Sequence, residues 1–137
     1  MIRRVFVDSD VVLDVALARQ PFVEVSKSLL GLLESGRAVG NISSNSITNI
    51  CYILRKAGGD QKARFFILSL LKYLAVMPLD HSGILSALKS DFSDFEDAVQ
   101  YFAALGSYCE CLIIRNIDDY KNSELDVFLP IEFLRKF

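Results

Sequence analysis

The chain has 137 residues, enough for one hydrophobic core and little room for a second. Hydrophobic residues make up 52% and charged residues 23%, a globular composition that excludes a disordered chain. Fifteen basic against seventeen acidic residues leave a formal net charge of −2, which excludes a broad, salt-driven grip on nucleic acid and makes the placement of the acids the informative quantity.

Ile2 to Val7 is a β-branched and aromatic run closed by Asp8, the pattern of a buried strand. Phe22 to Ser35 carries Val25, Leu29, Leu32 and Leu33 at helical spacing and stops at Gly36. Ala38 to Ile42 reads as a second strand. Ser43, Ser44 and Asn45 offer caps for a helix through Lys56, ended by Gly58-Gly59. Asp60 reads as the cap of an apolar helix to about Leu74, followed by a strand from Ala75 to Leu79. Asp80 caps a helix to about Lys89, which makes His81 an ordinary first-turn residue. Ser93-Asp94-Phe95-Glu96 matches a capping box and opens a helix from Asp94 to about Gly106. Cys111 to Ile114 and Val127 to Leu129 are the last strands, and Pro130 opens a final helical turn. Strands alternate with helices throughout, which predicts a single α/β domain over 1–137 with a mostly parallel sheet of about five strands covered by helices.

The longest apolar run, Phe65 to Leu79, is interrupted by Lys72 and is too short to span a bilayer. No signal-peptide pattern is visible at the N-terminus, and Cys51, Cys109 and Cys111 do not make a disulfide framework, so the expected compartment is the cytoplasm. The single His81 leaves the Cys109-x-Cys111 pair without partners for a zinc site.

Nine of the seventeen acids sit in three short stretches: Asp8, Asp10 and Asp14; Asp91, Asp94, Glu96 and Asp97; Asp118 and Asp119. Asp8 closes a buried strand, at the end of the sheet where α/β folds place ligands. Asp94 and Asp97 are three apart in a first helical turn and share a face. Asp118 and Asp119 follow the fourth strand after Arg115-Asn116-Ile117. Each acid also has a local reading: a dipole partner for Asp94 and Glu96, a turn residue for Asp118 and Asp119, a helix-surface or capping residue for Asp14. Crowded together they would repel, and a hard divalent cation would resolve that repulsion, so their convergence points to Mg²⁺ or Mn²⁺ and to phosphate chemistry.

Taken in order, Asp8-Ser9-Asp10-Val11-Val12-Leu13-Asp14, Asp97-Ala98-Val99-Gln100-Tyr101-Phe102-Ala103-Ala104 and Ile114-Arg115-Asn116-Ile117-Asp118-Asp119-Tyr120 resemble the motifs of the PIN domain, a family of metal-dependent ribonucleases that includes the VapC-like toxins. The closing Pro130-Ile131-Glu132-Phe133-Leu134 is similar as well. The resemblance implies the three-layer PIN fold. It implies Asp8 and Asp97 as main metal ligands, Asn116 and Asp119 completing the set, and Asp94 as an added ligand or water holder. Asp8, Asp97 and Asp119 would be the catalytic carboxylates, with Ser9, Asp10 and Asp118 orienting them by hydrogen bonds. The implied reaction hydrolyses an RNA phosphodiester to a 5′-phosphate and a 3′-hydroxyl. The sequence departs from the family in carrying no glutamate in the third helix, near Thr48 or Asn49, in Ile114 where threonine is usual, and in Asn116 where a fourth aspartate is usual.

Two other readings stay open. Asp8-Ser9-Asp10-Val11-Val12 also resembles the strand motif of HAD-type phosphatases, although there an acidic pair directly ends its strand and the core is larger. A PIN fold without its glutamate also fits an RNA- or protein-binding module. Between Arg37 and Lys89, seven basic residues stand against two acids, and Arg55 and Lys56 there, with Arg115, are the candidate nucleic-acid contacts. The helix from Phe65 to Leu74 is apolar over more of its circumference than one core face needs, which predicts a homodimer or a partner helix. The resemblance adds a small antitoxin protein as a candidate partner.

Overall fold

The structure is a computed structural model that describes residues 4–137. Five parallel strands form one sheet: β1 (Arg4–Val7), β2 (Val39–Ser43), β3 (Leu74–Met77), β4 (Cys111–Ile113) and β5 (Asp126–Phe128), in the order β3-β2-β1-β4-β5. Seven α-helices connect and cover them: α1 (Ser9–Ala16), α2 (Val23–Glu34), α3 (Ser44–Gly58), α4 (Asp60–Leu70), α5 (His81–Lys89), α6 (Phe95–Gly106) and α7 (Pro130–Leu134). Ile2 and Arg3 of the first expected strand lie outside the described residues.

Side chains alternate across the sheet, so the central strands β1 and β4 feed two cores. Val5, Val7, Ile42 and Ile113 pack with α1 to α4 on one face, whereas Phe6, Leu112 and Ile114 pack with Tyr101 and Ala104 of α6 on the other. Ala87, Ala98 and Val99 join α5 to α6. Gly40 leaves room for two core side chains: a Cβ there would collide with the Leu74 side chain and lie 2.9 Å from Leu33 Cδ1.

The structure moves several boundaries. The apolar helix ends at Leu70 and its strand starts at Leu74, because Leu74 pairs with Gly40 and the chain must turn before it can enter the sheet. Gly59, with φ of 96°, precedes the helix where a cap was expected, and Asp60 is its first residue, ion-paired to Arg64 at 2.6 Å. The cap of α6 is Asp94 and not Ser93, its carboxylate accepting from the Asp97 N–H at 3.0 Å. Asp14 is not a surface residue: it is 1% exposed and belongs to an ion cluster described below. Helix α1, between the first strand and its sequel, carries no separate expectation from the sequence and is cast by Asp8 as its N-cap. Among the described residues, no helix is long and apolar enough to cross a membrane, and no disulfide forms.

The chain passes from β1 outward to β2 and β3, then returns to place β4 on the other side of β1. That reversal opens a crevice at the carboxyl ends of β1 and β4, the place where parallel sheets hold ligands.

Candidate metal centre

Asp8 is fixed in the crevice by its position. It follows the last residue of β1, caps α1, and is 7% exposed. Its Oδ1 accepts from Gln100 Nε2 at 2.8 Å and its Oδ2 from the Asp10 N–H at 3.3 Å. Burial, then the Asp10 charge, push its carboxyl up to about 6 despite these hydrogen bonds.

Asp97 enters from the first turn of α6, half-buried, with its backbone N–H tied to Asp94. Its Oδ1 accepts from the Tyr120 hydroxyl at 3.3 Å. Burial, then the charges of Asp94, Asp119 and Asp8, push it up to about 7. Three other acids therefore act on Asp97 at once, which places all four in one electrostatic neighbourhood. Asp94 and Asp119 are exposed at the mouth.

The remaining expected residues have mixed placements. The Asn116 oxygen accepts from the Asp118 N–H at 3.3 Å and caps the 3₁₀ turn Ile117–Tyr120 that carries Asp118 and Asp119. Ser9 and Asp10 serve Asp8 through their backbone N–H groups. The Asp10 carboxylate faces away to Arg19 at 3.5 Å and Arg115 at 3.7 Å. Arg115 also pairs with Asp14 at 2.6 Å and lies over the Phe22 ring at 4.6 Å. Its charge is thus engaged in a clamp that pins the β4 turn to α1, with 28% of its side chain still exposed. Arg55 and Lys56 sit in the last turn of α3, about 15 Å along the helix from Ser46 at 1.5 Å per residue. Lys56 covers the Tyr52 ring there, 4.7 Å from its centroid.

Sequence reasoning missed Gln100 and Tyr120, both buried. Tyr120 is held protonated by burial and so remains a donor. The signals were present: Gln100 is a lone amide in a run of small and apolar residues, three positions from Asp97 and so on its face.

The donor set is oxygen throughout and matches a hard divalent cation. Among the described residues no three His, Cys, Asp or Glu side chains are gathered into a ready cage. Mg²⁺ does not need one, because it keeps several waters and binds through one or two carboxylates together with substrate phosphates. The raised carboxyls of Asp8 and Asp97 come first from burial and then from neighbouring acids, and a cation held by them would favour their ionised forms.

Comparison with known proteins agrees with this geometry. The sequence matches the model of the PIN domain over residues 4–118, which includes β1, Asp8, Asp97 and Asn116 and ends one residue before Asp119. It is 26% identical over 139 aligned positions to ribonuclease VapC1 of Aquifex aeolicus, covering 98% of this chain and 95% of that protein. In fold it is similar to VapBC2 from Rickettsia felis, solved bound to a DNA fragment from their promoter, with a TM-score of 0.70 at 13% identity over 90% of this chain and 96% of that one. It is similar also to a toxin–antitoxin complex from Klebsiella pneumoniae, with a TM-score of 0.68 at 19% identity over 92% of this chain and 97% of that one. With the family match running through most of the sequence and a five-stranded parallel sheet placing acids from β1 and α6 in one crevice, the chain belongs to the PIN domain family.

Proposed function

We propose that the protein is a divalent-metal-dependent endoribonuclease, a single PIN-like domain acting as the toxin of a toxin–antitoxin pair. The observation that carries this reading is the pair Asp8 and Asp97, one buried and one half-buried carboxylate from the end of β1 and the start of α6, both raised toward neutrality, first by burial and then by neighbouring acids. Asp8 and Asp97 would hold Mg²⁺ or Mn²⁺, with Asp119 and Asp94 at the mouth and Asn116 on the turn above them. The ion supplies activation of a water and neutralisation of charge on the phosphoryl oxygens. Water adds to phosphorus, the bond to the 3′-oxygen breaks, and a proton restores the 3′-hydroxyl, leaving a 5′-phosphate. Asp8 and Asp97 must be ionised to act, and their hydrogen bonds to Gln100 and Tyr120 favour that form.

Similarity to a ribonuclease and to a toxin–antitoxin complex supports RNA as substrate and a small antitoxin protein as partner. The basic end of α3, with Arg55 and Lys56, supports a backbone contact remote from the centre. On α4, Phe65 is 74% and Leu68 is 68% exposed, which supports a homodimer through that face. The cytoplasm is the compartment this function needs. An Asp8 nucleophile of the HAD type gains nothing here, since Asp118 and Asp119 lie on a 3₁₀ turn beyond the strand end.

The test is cleavage of a structured RNA by the purified protein with Mn²⁺ or Mg²⁺. Products with 5′-phosphates are expected, abolished by chelation and reduced at least about 100-fold by Asp97→Asn. Cleavage that persists in chelator, or that is unchanged in Asp97→Asn, would overturn the reading.

A further inference from the structure

Four buried side chains outside the ligand set form one directed hydrogen-bond relay that ends on both carboxylates. The Ser43 hydroxyl donates to Ser46 Oγ at 2.9 Å, and Ser43 Oγ in turn accepts from the Ser46 N–H at 3.0 Å. The Ser46 hydroxyl donates to Gln100 Oε1 at 3.3 Å. The Gln100 amide then donates to Asp8 Oδ1 at 2.8 Å and, more weakly, to the Tyr120 oxygen at 3.5 Å. The Tyr120 hydroxyl donates to Asp97 Oδ1 at 3.3 Å. Ser43, Ser46, Gln100 and Tyr120 are all buried.

The direction of the relay is fixed by chemistry. An amide has distinct donor and acceptor ends, and ionised carboxylates only accept. Because Ser46 donates to Oε1, the Gln100 NH₂ group must face Asp8, which is what a carboxylate needs. Serine hydroxyls can rotate, but here every donor upstream is consumed by the next acceptor. Chains of this kind polarise along their length and lock the groups at their ends.

The relay also answers how α3 serves the centre. Thr48 and Asn49, where the family would carry a glutamate, are both exposed. The residue of α3 that reaches the centre is Ser46, and it does so through Gln100. Helix α3 therefore contributes an oriented dipole and no negative charge.

Resting on the metal-nuclease reading above, we propose that Gln100 and Tyr120 are positioning residues for the metal centre: through the Ser43–Ser46 relay they hold one oxygen of Asp8 and one of Asp97 and thereby set how the two carboxylates face a cation. Neither residue touches the substrate or the reacting atoms in this account.

The test is Mn²⁺ titration of the full chain, read as free Mn²⁺ by electron paramagnetic resonance, with melting temperature measured alongside. Gln100→Met keeps the length and volume of the side chain and removes both ends of the amide. It is expected to weaken Mn²⁺ binding about 10–100-fold, the usual effect of losing a group that orients a ligand. Tyr120→Phe removes one hydroxyl and is expected to weaken binding about 2–10-fold. The double variant is expected to lose less than the product of the two, since both act through one network. Ser46→Ala carries the same test should Gln100→Met fail to fold, with an expected loss of about 2–10-fold. Variants that fold like the wild type and bind Mn²⁺ as tightly would overturn the relay and leave the nuclease reading standing. A wild-type chain that binds no Mn²⁺ at millimolar concentration would overturn both.

Discussion

Asp8→Asn should make the metal-free protein more stable at neutral pH and slightly less stable in acid. The folded Asp8 carboxyl titrates at about 6 against 3.8 for the unfolded one. Between those values the native state binds more protons than the unfolded state, so stability falls as pH rises. Its full contribution is present below about pH 4 and is lost through pH 6, a change of about 3 kcal/mol at 1.36 kcal/mol per tenfold change in proton affinity. An amide has no such titration. It does lose one acceptor, because Asp8 Oδ2 takes the Asp10 N–H and an NH₂ group cannot; that costs about 1 kcal/mol. The variant should therefore be about 1 kcal/mol less stable than the wild type at pH 4 and about 2 kcal/mol more stable at pH 8. Urea denaturation of both proteins in chelator across that range measures the difference directly, since most other titrations cancel. A difference that stays flat from pH 4 to pH 8 would show that Asp8 is not held in a strained, raised state, and the argument for a cation there would lose its electrostatic basis.

Two further outcomes follow from other parts of the molecule. Arg115→Met strands the buried Asp14 carboxylate, which then keeps only Arg19 at 3.6 Å and already has one oxygen, Oδ2, without a hydrogen bond. A loss of about 2–3 kcal/mol in urea unfolding is expected, less than the full cost of breaking a buried pair because Arg19 remains. Phe65→Glu combined with Leu68→Lys should convert the expected dimer to a monomer by sedimentation while leaving the melting temperature within a few degrees, because both side chains lie outside the core. A wild-type monomer at high concentration would remove the homodimer from the account.

Much of this was legible in the sequence, for physical reasons that can be named. The β-branched run ending in Asp8 specifies both a buried strand and an acid at its carboxyl end, because burial on two faces leaves no other use for such a run. Asp94 and Asp97 declare themselves by position in a first turn. The sequence was less informative where pairing partners decide. Asp14 looks like a surface residue until Arg115 is folded against it from β4, 101 positions away. Arg115 looks like a free cation for the same reason. The end of α4 was misplaced because Lys72 is the sole charge in the apolar run from the helix into β3, and the register of Leu74 on Gly40 marks the change. Gln100 and Tyr120 lie within the quoted segments, but their roles arise only from the meeting of α3, α6 and the last turn.

The central claim is that Asp8 and Asp97 share a divalent cation. Crystals soaked in or grown with Mn²⁺ and measured at its absorption edge test this most directly. Anomalous density is expected between the Asp8 and Asp97 carboxylates in the crevice of β1 and β4, at oxygen distances of about 2.0–2.3 Å. Absence of that density at millimolar Mn²⁺, or density bound to other residues with Asp8 and Asp97 untouched, would contradict it.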